Sequence, residues 1–137
     1  MKLVAFVDGA ARGNPGKSGI GIMIRDETGA FVDEHCAFLG TATNNVAEYT
    51  ALITCLGIVS RQFPQCTELH VHSDSELMVK QMNGQYKVRD RNLQKLNAQV
   101  RSLLEKAPYK FSIRHIPREE NSDADALANR GIDEARN

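Results

Sequence analysis

The chain of 137 residues contains no tryptophan and only three cysteines. Cys36, Cys55 and Cys66 are odd in number and form no C-x-x-C pair. That argues against a disulfide framework and fits a reducing cytosol, with the thiols acting as small apolar residues. Net charge is also lacking, because 17 basic residues balance 17 acidic ones. No global positive field advertises a polyanionic partner, although a local patch would suffice. The opening "MKLVAFVDGA" meets an acid at position 8 and lacks the apolar core of a signal peptide. No apolar run approaches the length of a membrane span. The expectation is a soluble, cytoplasmic protein without a membrane partner. Linkers, repeats and low-complexity tracts are missing as well, so one domain over residues 1–137 is expected.

Five stretches carry strand patterning. "KLVAFVD" is nearly continuous apolar, as in a strand buried on both faces. "GIGIMIRD" and "AFVDEHCAFLG" flank Glu27-Thr28-Gly29, which is hairpin chemistry. "ELHVHSD" and "KFSIRHIP" complete the set. Four stretches read as helices: "NNVAEYTALITCLGIVSRQF" before Pro64, "DSELMVKQMNG", "RNLQKLNAQVRSLLEKA" before Pro108, and "NSDADALANRGIDEA". The order β-β-β-α-β-α-α-β-α predicts an α/β fold with a five-stranded mixed sheet flanked by helices.

Residues Ala11 to Ser18, ending in Gly-Lys-Ser, match a loose phosphate-loop pattern. Such a loop works only where a helix starts at its Lys-Ser and aims free N–H groups at phosphate. Here Lys17-Ser18 runs into alternating Gly19, Ile20, Gly21, Ile22, Met23 and Ile24, a strand period. No nucleotide cofactor is therefore expected. "GNPG" reads instead as a hairpin turn, with Pro15 presetting φ and Gly16 supplying freedom.

The remaining chemistry lies in carboxylates. Asp8 ends the most hydrophobic strand, and Asp74 ends "ELHVHSD" in the same way. Glu48 heads the helix stripe Leu52, Cys55 and Val59, and Asp125 heads the stripe Ala128 and Ile132. Each acid also has a purely structural reading. Asp8 and Asp74 suit turns or caps, while Asn45-x-x-Glu48 and Ser122-x-x-Asp125 have capping-box spacing. Asp123 should point away, as a surface acid. Four converging carboxylates would repel one another by several kcal/mol per pair at an effective dielectric of about 20. A divalent cation or shared protons must compensate. All-oxygen donors suit Mg²⁺ or Mn²⁺, whereas Zn²⁺ would draw His or Cys. Among the four histidines only His70 and His72 stand close, on one strand face, and they read as structural. A four-acid site suited to two metals points to phosphoryl transfer.

Four motifs in order resemble ribonuclease HI across essentially the whole chain. They are "DGAARGNPG", "TNNVAEYTAL", "SDSELMVKQM" and "HIPREENSDADALAN". The resemblance implies the ribonuclease H-like fold and an endoribonuclease that hydrolyses the RNA strand of RNA–DNA hybrids. It implies two Mg²⁺ ions per site, with Mn²⁺ as a substitute, and 5′-phosphate and 3′-hydroxyl products. Asp8, Glu48, Asp74 and Asp125 match the family's metal-binding catalytic carboxylates. His115 most nearly matches a mobile histidine of the family, although "HIPREEN" replaces the usual glycine-rich loop, and Arg118 or Glu120 are alternatives. Asn14, Asn44 and Asn45 match minor-groove contacts to the hybrid, and amides suit 2′-hydroxyls and base edges. Thr43 matches a DNA-phosphate contact. The family's long basic insertion is reduced to "GQYKVRDRN", leaving Lys87 and Arg89 as candidate contacts. This is the compact branch without the basic protrusion, for which weak hybrid affinity and a monomer are expected. The alternative reading is a catalytically silent or weak hybrid-binding module of the same fold. A related exonuclease is disfavoured because Asp8-Gly9-Ala10 lacks the D-x-E of those enzymes.

Overall fold

The alternation in "GKSGIGIMIRD" puts Ile20, Ile22 and Ile24 on one side of a strand, and all three are buried. That strand is β2 (Gly16–Asp26). In the computed structural model, which describes residues 1–135, it pairs antiparallel with β1 (Lys2–Gly13) and β3 (Phe31–Ala42). On its other edge β1 pairs in parallel with β4 (Glu68–Ser73), and β4 with β5 (Lys110–His115). The sheet order is β3-β2-β1-β4-β5, so the most apolar strand lies at the centre, as expected. The helices are α1 (Asn44–Gln62), α2 (Glu76–Met82), α3 (Arg91–Lys106) and α4 (Ser122–Asp133), with one 3-10 turn at Arg118–Glu120.

Parity along β1 decides what each helix covers. Leu3, Ala5 and Val7 sit on one face and pack with Leu52, Cys55 and Val59 of α1, all fully buried. The stripe read from Glu48 onward is therefore the core-facing side of α1. Asp8, one residue out of phase, faces the opposite side, where α4 brings Ala124, Leu127 and Ala128 against the sheet. Burial pushes the Cys55 thiol up to about 12, which keeps it neutral and inert.

Three local expectations need correction. Gly16 does not supply the special conformation of the first turn; it is the first residue of β2, and Gly13 carries the positive φ of 103°. Helix α1 is capped by Thr43, whose Oγ1 accepts from the Val46 N–H at 3.2 Å, not by an Asn45–Glu48 box. Ser122 lies within α4, and the residue before it, Asn121, turns its amide toward the Val7 carbonyl at 2.9 Å instead of capping. Neither capping box forms because each helix begins too early for it: Asn45 and Ser122 already lie inside α1 and α4 and cannot serve as caps. Lys17 and Ser18 are strand residues, consistent with the absence of phosphate-loop geometry.

Candidate active site

The parallel register of β1 and β4 places Val7 opposite Ser73. Asp8 and Asp74, the next residue of each, consequently emerge side by side at one end of the sheet. Glu48 reaches them from the first turns of α1 because Gly9 allows the helix to come close. A Cβ on Gly9 would lie 2.2 Å from the Ala47 carbonyl carbon. In that contact the Gly9 N–H donates to Glu48 Oε1 at 2.6 Å. A second close approach sets α4 in place: a Cβ on Gly21, the partner of Asp8 in β2, would lie 2.2 Å from the Ala124 carbonyl oxygen. Asp125 follows Ala124 and is thereby carried toward Asp8.

Asp8, Glu48 and Asp74 each offer an oxygen within 4.8 Å of the others. Asp8 and Glu48 are 4% and 8% exposed, whereas Asp74 and Asp125 are partly open. Burial raises the Asp8 carboxyl far above the usual carboxylate range, and the charges of Glu48 and Asp74 and contact with Asp125 add to it. Burial raises Glu48 too, opposed in part by the Gly9 hydrogen bond. This is a site with more negative charge than it can hold unaided. Its donors are all carboxylate oxygens, which fit a hard divalent cation such as Mg²⁺ or Mn²⁺. The four acids line one cleft of about 420 Å³, together with Arg12, Asn44, Arg118 and Asn129.

The other expected residues fall into three places. Asn14 and Asn44 interlock the two turns beside the acids: the Asn44 N–H donates to Asn14 Oδ1, and the Ala11 N–H to Asn44 Oδ1, both at 3.1 Å. Asn14, Thr43 and Asn45 line a neighbouring groove of about 240 Å³ with Asn92 of α3. Thr43 also faces Asn92 and Lys95 across an adjoining depression. Lys87 and Arg89 are exposed on the α2–α3 connection and do not line the acidic cleft. His115 is the exposed last residue of β5, level with Ser73. It is not part of the cleft lining. Arg118, on the 3-10 turn, does line the cleft, with Nη2 3.9 Å from Asp125 Oδ1. Glu120 instead borders a separate cavity beside Asn121 and Asp123.

Asp123 pairs on the surface with Arg25 at 2.9 Å, and His70 and His72 contact Ser112 and Phe6, in keeping with structural roles. Arg12, Asn129, Asn92 and Lys95 were not legible as site residues. Arg12 and Asn129 stand inside the first and last motifs without a chemical reading of their own, and Asn92 and Lys95 lie outside all four; each reaches its place through long-range packing.

A family model described as reverse transcriptase-like matches residues 6–131. The chain is 39% identical over 96% of its length to a ribonuclease HI of Halobacterium salinarum. It is 32% identical to a ribonuclease H of Dechloromonas aromatica, covering 96% of this chain and 93% of that one. It spans 64% of the Halobacterium protein and 36% of the mycobacterial relatives it matches. A crystal structure of LC11-RNase H1 in complex with an RNA/DNA hybrid superposes with a TM-score of 0.91 and 43% identity. That match covers 96% of this chain and 97% of the other.

Proposed function

The chain belongs to the ribonuclease H family, and we propose that it is an endoribonuclease, one domain over residues 1–137, that hydrolyses the RNA strand of RNA–DNA hybrids. The observation that carries this reading is the carboxylate trio, within 4.8 Å of one another, at the floor of a cleft flanked by asparagines. Four acids alone would support many phosphoryl-transfer reactions. The flanking amides narrow the choice, because they donate and accept toward 2′-hydroxyls and base edges.

Asp8, Glu48, Asp74 and Asp125 would hold two divalent cations, Mg²⁺ or Mn²⁺. The chemistry such cations supply is charge neutralisation on the phosphodiester and acidification of water. The chain's own contribution is preorganisation. Gly9 aims Glu48, the strand register aligns Asp8 with Asp74, and α4 delivers Asp125. Arg118 takes the part that the family resemblance offered to His115. Its fixed positive charge beside Asp125 suits a phosphate oxygen, whereas His115 sits on the outer end of β5. Asn14, Asn44 and Asn45 read the minor groove. Thr43 holds a phosphate of the DNA strand, with Asn92 and Lys95 within reach of the same position. Lys87 and Arg89 provide peripheral attraction only.

In the reaction a water oxygen bonds to phosphorus as the bond from phosphorus to the 3′ oxygen breaks. The proton passes to that oxygen, leaving 5′-phosphate and 3′-hydroxyl ends. The test is incubation of labelled RNA–DNA hybrid, RNA duplex and DNA duplex with Mg²⁺ or Mn²⁺. Cleavage confined to the RNA strand of the hybrid is expected. Equal cutting of either homoduplex would refute the substrate reading.

A further inference from the structure

We propose that Asn129 and Arg12 are positioning residues that fix the orientation of the Asp125 carboxylate before any cation arrives. The inference rests on the reading of Asp125 as a cation ligand. Asp125 stands outside the tight trio, and its side chain is 32% exposed. Asn129, one turn further along α4, donates from Nδ2 to the Asp125 backbone oxygen at 3.0 Å and to its Oδ1 at 3.4 Å.

A primary amide has one donor end and one acceptor end, so its direction matters. Arg12 fixes that direction. Its Nη2 donates to Asn129 Oδ1 at 3.2 Å, while its Nη1 donates to Asp133 Oδ1 at 2.6 Å. A flipped Asn129 amide would turn its NH₂ toward a guanidinium and abandon Asp125. Arg12 belongs to the end of β1, and Asp133 to the last turn of α4. The fork therefore ties the strand that carries Asp8 to the helix that carries Asp125. Stability does not explain it, because Arg12 and Asp133 are 48% and 62% exposed, and so exposed an ion pair contributes little. Partners that orient metal ligands, by contrast, alter metal affinity or activity by about 10- to 100-fold when removed.

The test is calorimetric titration of the full chain with Mn²⁺ in the absence of nucleic acid, followed by kinetics at varied Mn²⁺. Asn129→Ala should weaken Mn²⁺ binding about tenfold. Its kcat should fall at low Mn²⁺ and recover at high Mn²⁺, with the KM for hybrid unchanged. Arg12→Ala should weaken binding in the same direction and by less. Arg12→Lys should not restore it, since an ammonium cannot hold Asn129 and Asp133 in one fork. The double variant should be no worse than Asn129→Ala alone. Unaltered Mn²⁺ affinity in Asn129→Ala would overturn the proposal, as would additive losses in the double variant. So would an Arg12→Ala protein that raises KM for hybrid at normal Mn²⁺ affinity, which would make Arg12 a phosphate contact. Unfolding midpoints of each variant identify any failure to fold, and both side chains reach solvent. Asp8→Asn in the same calorimeter separates the two readings. If it too keeps full affinity, the cation site itself is wrong; if it alone loses affinity, only the positioning role fails.

Discussion

The backbone N–H of Gly9 donates to Glu48 Oε1 at 2.6 Å across a contact that no side chain could occupy. One residue thus serves two purposes: it lets α1 rest on β1, and it aims a carboxylate at the neighbouring acids.

Gly9→Ala tests this double role. The added methyl would lie 2.2 Å and 2.4 Å from backbone atoms of Ala47 and Glu48, which cannot swing aside as a side-chain end can. Urea denaturation should show a loss of about 1–3 kcal/mol, the usual cost of overpacking. Cleavage of hybrid should fall further than stability alone explains, because Glu48 is displaced.

The pH dependence of stability follows from the raised carboxyls. Asp8 has an ordinary value of 3.8 and is pushed up to about 10 in the fold, chiefly by burial. Between those values the folded chain binds more protons than the unfolded one, so stability falls as pH rises. With EDTA present, the melting temperature should decline from mildly acid to mildly alkaline pH. Mg²⁺ should restore more of it at high pH than at low pH. A melting temperature that rises with pH in EDTA would contradict the crowded-acid account. Asp8→Asn should flatten the decline.

Much of this architecture was legible in the sequence, for identifiable reasons. The alternation around Ile20, Ile22 and Ile24 and the stripe from Glu48 through Val59 are local periodicities, and they placed β2 and the inner side of α1 correctly. The four acids stood out because each interrupts or heads an apolar pattern. What stayed hidden depends on distant partners. Gly21 looked like one beat of a strand, yet its importance lies in α4, which crosses it from the far end of the chain. The turn falls within "GNPG" as read, at Asn14-Pro15, but the positive φ belongs to Gly13 at the end of β1 and not to Gly16. Arg12 carries no signal of its own in the sequence, because its partners Asn129 and Asp133 lie at the far end of the chain.

Arg118 and His115 make opposite predictions. Arg118 lines the cleft beside Asp125, and His115 does not. Arg118→Ala should lower kcat on the order of 10²-fold, as loss of one charge-stabilising donor does. His115→Ala should retain most activity. Steady-state kinetics of the two variants on one hybrid substrate reads both outcomes, and the reverse order would return the role to His115.

Few cations surround the cleft, and the chain has no net charge. Hybrid binding should therefore be weak, with log K falling against log salt by a slope of roughly 3 or less. A filter-binding or anisotropy series across salt measures it. A slope several times steeper would mean that Lys87, Arg89 and their neighbours neutralise many more phosphates than proposed.

If the clustered carboxylates act as proposed, this chain is a cation-dependent nuclease for hybrids. The most direct measurement compares wild type with Asp74→Asn on an RNA–DNA hybrid in Mg²⁺, following both cleavage and binding. The account predicts that wild type cuts the RNA strand to 5′-phosphate ends, while Asp74→Asn stays folded, still binds hybrid and no longer cuts. A wild-type protein that binds hybrid without cutting, or an Asp74→Asn variant that cuts equally well, would contradict it.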